Sequence, residues 1–137
     1  MSGSERLFLD TNVVVASLTS EPQRGAVATE ILDIEAEYYT GLLNIMELRT
    51  VLTKKKMIEQ NRVERIIKQI EDRLEVIYHE PSDLVAANEL QSQTLLYPLD
   101  CLLLAIAEDQ DATLVTFDAE LIDAGARSPS DILEASR

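Results

Sequence analysis

Apolar positions in this chain recur in two patterns: short unbroken runs that fit buried strands, and spacings of three and four that fit helix faces. Leu7-Phe8-Leu9 is a run of the first kind, ending at Asp10, and predicts a buried strand. After it, 13–18 fits either a continued strand or a helix. A helix starting near Asn12 is the better reading, because asparagine is a good N-cap. A second helix is predicted over 25–35, with Val27, Ile31 and Ile34 on one face, and a weak strand over 37–40. Ile45, Leu48 and Leu52 recur at helical spacing and predict a helix over 43–56. Val63, Ile66, Ile67 and Ile70 predict another over 61–74.

Alternation over 75–79 predicts a strand, and 82–94 an amphipathic helix with a Ser-Asp start. Beyond Pro98, 99–109 is apolar nearly all round and predicts an interior helix. The clearest late strand is 112–116, and Ser128-Pro129-Ser130-Asp131 opens a short final helix. Strands interleaved with helices predict an α/β fold with a parallel sheet and right-handed crossovers. A fifth strand near 126–127 is barely signalled. With 137 residues, no repeat and no linker, the chain reads as one domain over 1–137.

Composition narrows the setting. The longest apolar run, 101–107, is far short of the ~20 residues a membrane span needs. The start, Met-Ser-Gly-Ser-Glu-Arg, carries no apolar signal region. A lone cysteine, Cys101, allows no disulfide framework, so the expected compartment is the reducing cytoplasm. Twenty-five acids face twelve bases, only four of them lysine, for a net charge of −13. Such a surface repels nucleic acid at long range. It resembles halophile composition, for which screening shortens to ~3 Å near 1 M salt. The other reading is an acidic protein with a basic partner.

Four acids stand where a metal site would use them. Asp10 directly follows a buried strand, and Asp118 lies two residues past a late one. Ligands of open α/β sheets bind at the carboxyl ends of strands, although each Asp alone is equally a cap or turn residue. Glu47 has Leu43 and Val51 four residues to either side and so interrupts an apolar stripe. If buried, its carboxylate needs a metal or an ion pair, for which Arg24 and Arg49 are candidates. Asp100 opens the interior helix, either as its cap or facing inward with Leu103 and Leu104. Together, converging carboxylates repel, and a hard divalent cation with oxygen ligands removes that conflict. No Cys/His cluster competes for zinc, and His79, the one histidine, reads as a strand-end residue.

Four segments resemble the PIN-domain family, in particular its VapC-type toxin branch: Leu9-Asp10-Thr11-Asn12; Asn44-Ile45-Met46-Glu47-Leu48; Pro98-Leu99-Asp100-Cys101, with the apolar residues after it; and Leu114-Val115-Thr116-Phe117-Asp118. The resemblance spans nearly the whole chain. It implies a three-layer α/β/α sandwich around a central parallel sheet of four to five strands. It implies Mg²⁺- or Mn²⁺-dependent hydrolysis of RNA phosphodiester bonds. Asp10, Glu47, Asp100 and Asp118 match the family's acidic positions, and Asn12 and Thr116 its supporting polar positions. A homodimer and an antitoxin partner are implied as well.

RNA contact is expected from Arg49, Lys54, Lys55 and Lys56, with Arg62 and Arg65 nearby, although lysines at a helix end also simply offset its dipole. Tyr97 either stacks on a base or packs. The rival readings are a catalytically inactive, PIN-like regulatory module that docks a basic tail, and a receiver- or phosphatase-like α/β domain. A haloacid-dehalogenase site would want an Asp where Asn12 stands, and a receiver would want a paired acid near the first strand and a late lysine. Neither pattern is present.

Overall fold

A computed structural model describes residues 5–137. Its centre is β1 (Glu5–Leu9), the apolar run that precedes Asp10. On one side β1 pairs in parallel with β2 (Ala36–Gly41), which pairs with β3 (Glu75–Ile77). On its other side lies β4 (Thr113–Val115), giving the order β3-β2-β1-β4. Leu7 and Leu9 enter one core and Phe8 the other. Leu7, Phe8 and Leu9 are covered on both faces and so have to be apolar at every position, and for that reason this part of β1 shows no alternation.

One face is covered by α1 (Thr11–Thr19), α2 (Arg24–Ile31), α3 (Leu42–Thr50), α4 (Gln60–Arg73) and α8 (Pro129–Ala135). The other is covered by α5 (Pro81–Thr94), α6 (Pro98–Asp109) and α7 (Ala119–Asp123). The result is the expected parallel sheet between helical layers. The weak fifth strand is a single parallel bridge, Val115 to Arg127. Arg127 donates its N–H to Leu114 O (2.9 Å) and accepts from Thr116 N–H (3.0 Å). Among the described residues no helix is long and apolar enough to cross a membrane.

Several boundaries differ from the sequence expectation. Asn12 is not the cap of α1; Asp10 is, accepting from Thr11 N–H at 2.7 Å. The Asp10 N–H still belongs to the sheet, donating to Val115 O (3.0 Å), so strand passes to helix with no residue between for another cap. The helix over 25–35 stops at Ile31, where the chain turns toward β2. The helix over 43–56 splits: α3 ends at Thr50, and Val51–Lys55 form a π turn in which Lys56 N–H reaches Val51 O (3.0 Å). The strand over 75–79 stops at Ile77, and Tyr78 beyond it is exposed. α5 begins at Pro81, with the buried Asp83 carboxylate accepting from Glu80 N–H (2.8 Å). α7 was not predicted; five residues are too short for a periodic signal.

Candidate active site

The parallel sheet ends its strands at one edge, and a cavity of about 280 Å³ opens there. Asp10, Glu47, Asp100 and Asp118 all line it, beside Asn12, Arg24 and Leu99. Each acid arrives on a different element. Register explains the first: Leu9 pairs with Val115, so the residues that follow, Asp10 and Thr116, emerge side by side. The Thr116 hydroxyl donates to Asp10 Oδ2 at 2.8 Å, while Thr11 N–H occupies Oδ1. The same hydroxyl accepts from Asn12 Nδ2 (3.2 Å) and from Asp118 N–H (3.0 Å). Asn12 Oδ1 in turn accepts from Phe117 N–H (3.3 Å). Thr116, fully buried, thereby uses its hydrogen-bonding capacity to fix three residues of the cavity wall.

A further member of this network is Asn44. Its side-chain amide donates to Thr11 Oγ1 (3.0 Å) and makes a long 3.5 Å contact to Asp10 Oδ1, while its carbonyl accepts from Gly41 N–H (3.1 Å). A Cβ at Gly41 would sit 2.8 Å from Asn44 Oδ1, so only glycine lets the amide approach. Sequence reasoning missed Asn44. Its signal was a polar residue inside the buried stripe Asn44, Ile45, Leu48, Leu52 of the α3 segment.

Glu47 departs from expectation. It is exposed, not buried in an apolar stripe, because Leu43 and Val51 are themselves only half-buried. The buried face of α3 lies to one side, and Glu47 stands on the cavity rim. Among the described residues neither Arg24 nor Arg49 pairs with it; Arg49 is held by Glu64 through two bonds of 2.6 and 3.1 Å. Asp100 is not the cap of α6, a place taken by Tyr97, but sits in its first turn, half-buried. Asp118 does cap α7, its Oδ1 accepting from Glu120 N–H at 2.9 Å, while still lining the cavity. Lys54, Lys55 and Lys56 are exposed on the π turn, and Tyr97 is exposed; none of them lines the cavity. His79 lies two residues past β3, away from it.

Electrostatics mark the acids as a group. Burial, and then the charges of Asp118, Asp10, Glu120 and Glu47, push the Asp100 carboxyl up to about 6. Burial also raises Asp10; the hydrogen bonds from Thr116 and Thr11 oppose it, and the charges of Glu47 and Asp118 add to it. The donor set is all oxygen, the chemistry of a hard divalent cation. Among the described residues no three His, Cys, Asp or Glu side chains stand close enough to share one ion directly. A cation such as Mg²⁺ that keeps most of its waters needs only one or two carboxylates in direct contact, so this spread fits a hydrated ion.

The fold and the cavity define a parallel α/β protein with a carboxylate cluster at the C-terminal edge of its sheet. The chain belongs to the PIN domain family, whose model matches residues 7–126. Its structure is similar to a toxin–antitoxin complex from Klebsiella pneumoniae (TM-score 0.72, 19% identity, covering 90% of this chain and 97% of that one). It is similar to VapBC2 from Rickettsia felis bound to a promoter DNA fragment (0.70, 19%, 90% and 96%). It is also similar to Mycobacterium tuberculosis VapC20, a toxin that cleaves the sarcin–ricin loop (0.74, 16%, 88% and 95%). At these identities the likeness is one of fold. No curated protein matches the chain in sequence.

Proposed function

We propose that this PIN domain is a divalent-metal-dependent endoribonuclease that hydrolyses RNA phosphodiester bonds as the toxin of a toxin–antitoxin pair. The observation that carries the reading is the convergence of four carboxylates from four elements on one cavity, with Asp100 and Asp10 both raised by burial and by the charges of the others. Such mutual repulsion is costly without a cation. The similar structures support the biological half: the Klebsiella protein is a toxin–antitoxin complex, and the Mycobacterium protein is a sarcin–ricin loop cleaving toxin.

In this reading Asp10, Glu47, Asp100 and Asp118 form the site of a hydrated Mg²⁺ or Mn²⁺, one or two of them in direct contact and the others through its waters. A bound cation would supply positive charge against the phosphate and make a nearby water more acidic. The rest is the work of the chain. Thr116 and Asn12 orient Asp10 and the Phe117–Asp118 segment, as outer partners of metal ligands generally do. Without a cation the Asp100 carboxyl, pushed up to about 6, takes up a proton in mild acid, and a bound cation would hold it ionised. Lys54, Lys55 and Lys56 serve as outlying RNA contacts, a role for which the ion pair with Glu64 leaves Arg49 poorly placed. A homodimer also belongs to this reading. Its support within this chain is the exposed Leu84, Val85, Leu95 and Tyr97 on and after α5.

The wide spacing of the acids favours one second reading, a catalytically inactive binding module. Purified protein incubated with RNA separates the two. Cleavage is expected with Mg²⁺ or Mn²⁺, stopped by EDTA and abolished by Asp10→Asn in a protein that still folds. Full activity in EDTA, or in that variant, would sink the metal-nuclease reading, and no activity in any metal would favour the binding module.

A further inference from the structure

The acidic cavity has a single cationic wall. Arg24, at the start of α2, is the one basic residue among those that line it. Among the described residues no ion pair engages Arg24, although Glu21 and Glu47 line the same cavity. Its guanidinium instead lies 4.8 Å from the centroid of the Phe117 ring. Phe117 stands between Thr116 and Asp118, so the stack ties Arg24 to the segment that braces Asp10. Stacking occupies one face of a guanidinium and leaves the N–H donors along its edge free, in a fork that matches two oxygens of a phosphate.

The backbone leading into Arg24 is held in an unfavourable form. Gln23 has φ 67° and ψ −58°, and Arg24 N–H folds back onto Pro22 O at 2.7 Å. That is a γ-turn with positive φ, rare and strained for any residue but glycine. Strain of this kind persists where the surroundings over-determine it, and it collects at ligand clamps. An RNA strand also faces a physical obstacle here: its phosphates must approach five carboxylates, Glu21 besides the four acids of the site, on a chain of net charge −13.

We propose that Arg24 is the phosphate-binding residue of this site. Its guanidinium, held by the Phe117 ring, makes a two-pronged contact with a backbone phosphate of single-stranded RNA lying across the acidic cavity. The identity of the ligand rests on the nuclease reading. The residue's role can be measured separately, as binding of fluorescein-labelled single-stranded RNA to Asp10→Asn protein in Mg²⁺, followed by anisotropy across a salt series. Adding Arg24→Gln is expected to weaken binding at least about tenfold, the loss of a charge-assisted hydrogen bond. It should also lower the slope of log affinity against log salt by about 1. Arg24→Lys should restore the slope and only part of the affinity, because it returns the charge without the fork. Phe117→Leu should weaken binding less and leave the slope alone. In otherwise wild-type protein, Arg24→Gln should raise KM more than it lowers kcat.

Unchanged affinity and slope in Arg24→Gln overturn the proposal. So does a loss matched by a fall in melting temperature that Arg24→Lys fails to restore in either property, which marks a structural role only. If wild type cuts no RNA but binding depends on Arg24 as stated, the nuclease reading fails and this proposal stands. If wild type cuts RNA and Arg24→Gln binds normally, the reverse holds. If the protein neither cuts nor binds RNA, both fall.

Discussion

Replacing Asp100 by Asn removes one charge from the acidic cavity and keeps the side chain's shape, so it measures the repulsion stored there. In the folded protein the Asp100 carboxyl rises from 3.8 to about 6, first through burial and then through Asp118, Asp10, Glu120 and Glu47. About two units correspond to about 3 kcal/mol at about 1.4 kcal/mol per unit. Asp100 is only half-buried, and solvent screening brings the figure to about 1 kcal/mol. The direction follows from linkage. Between 3.8 and 6 the folded chain holds this proton more tightly than the unfolded chain, so stability from this group is present in acid and lost as pH rises through about 6. Above that pH ionised Asp100 costs stability, and Asp100→Asn should recover it. In EDTA at pH 8 the variant should melt higher than wild type by about 4 °C for a domain of this size. Near pH 4 the difference should vanish. Saturating Mg²⁺ should shrink or reverse it, because wild type then gains binding energy that the variant lacks. Equal melting temperatures in EDTA at pH 8, or a gain unchanged near pH 4, would refute the reasoning.

Thr116→Val keeps the volume but strips the hydroxyl that serves Asp10, Asn12 and Asp118; it should cost about 1–3 kcal/mol by urea denaturation, push the Asp10 carboxyl further up, and weaken Mg²⁺ binding at least about tenfold. A Val variant as stable as wild type, with the same Mg²⁺ affinity, would mean that the hydroxyl does not brace the site. Stability should rise between low and molar KCl, since −13 charges repel and only three ion pairs are seen among the described residues; a flat melting temperature contradicts the halophile reading. Light scattering at micromolar concentration should give a dimer, and Leu84→Glu with Val85→Glu should give a monomer; a monomeric wild type, with and without salt, removes the dimer from the proposal.

Much of this architecture is local and was readable from the chain. Leu7-Phe8-Leu9 had to be a strand buried on both faces, and the α6 segment had to be interior, because their apolar patterns leave no face for water. Asp10 directly after one strand and Asp118 three residues past another were visible for the same reason: each sits beside a strong local signal. What the sequence left open depends on neighbours far along the chain. Whether Asp100 capped its helix or faced the cavity was decided by Tyr97 taking the cap. Whether Glu47 was buried was decided by which side of α3 met the sheet, a rotation that its apolar stripe leaves ambiguous because Leu43 and Val51 lie at the boundary. Asn44 at Asp10, Thr116 at Asp10, and Arg24 over Phe117 are contacts between segments far apart in sequence. They arise from the order and register of β1, β2 and β4 and from the turn before α2. Hydrophobic periodicity specifies which face of each element is buried, but not which residues of two elements meet once those faces are packed.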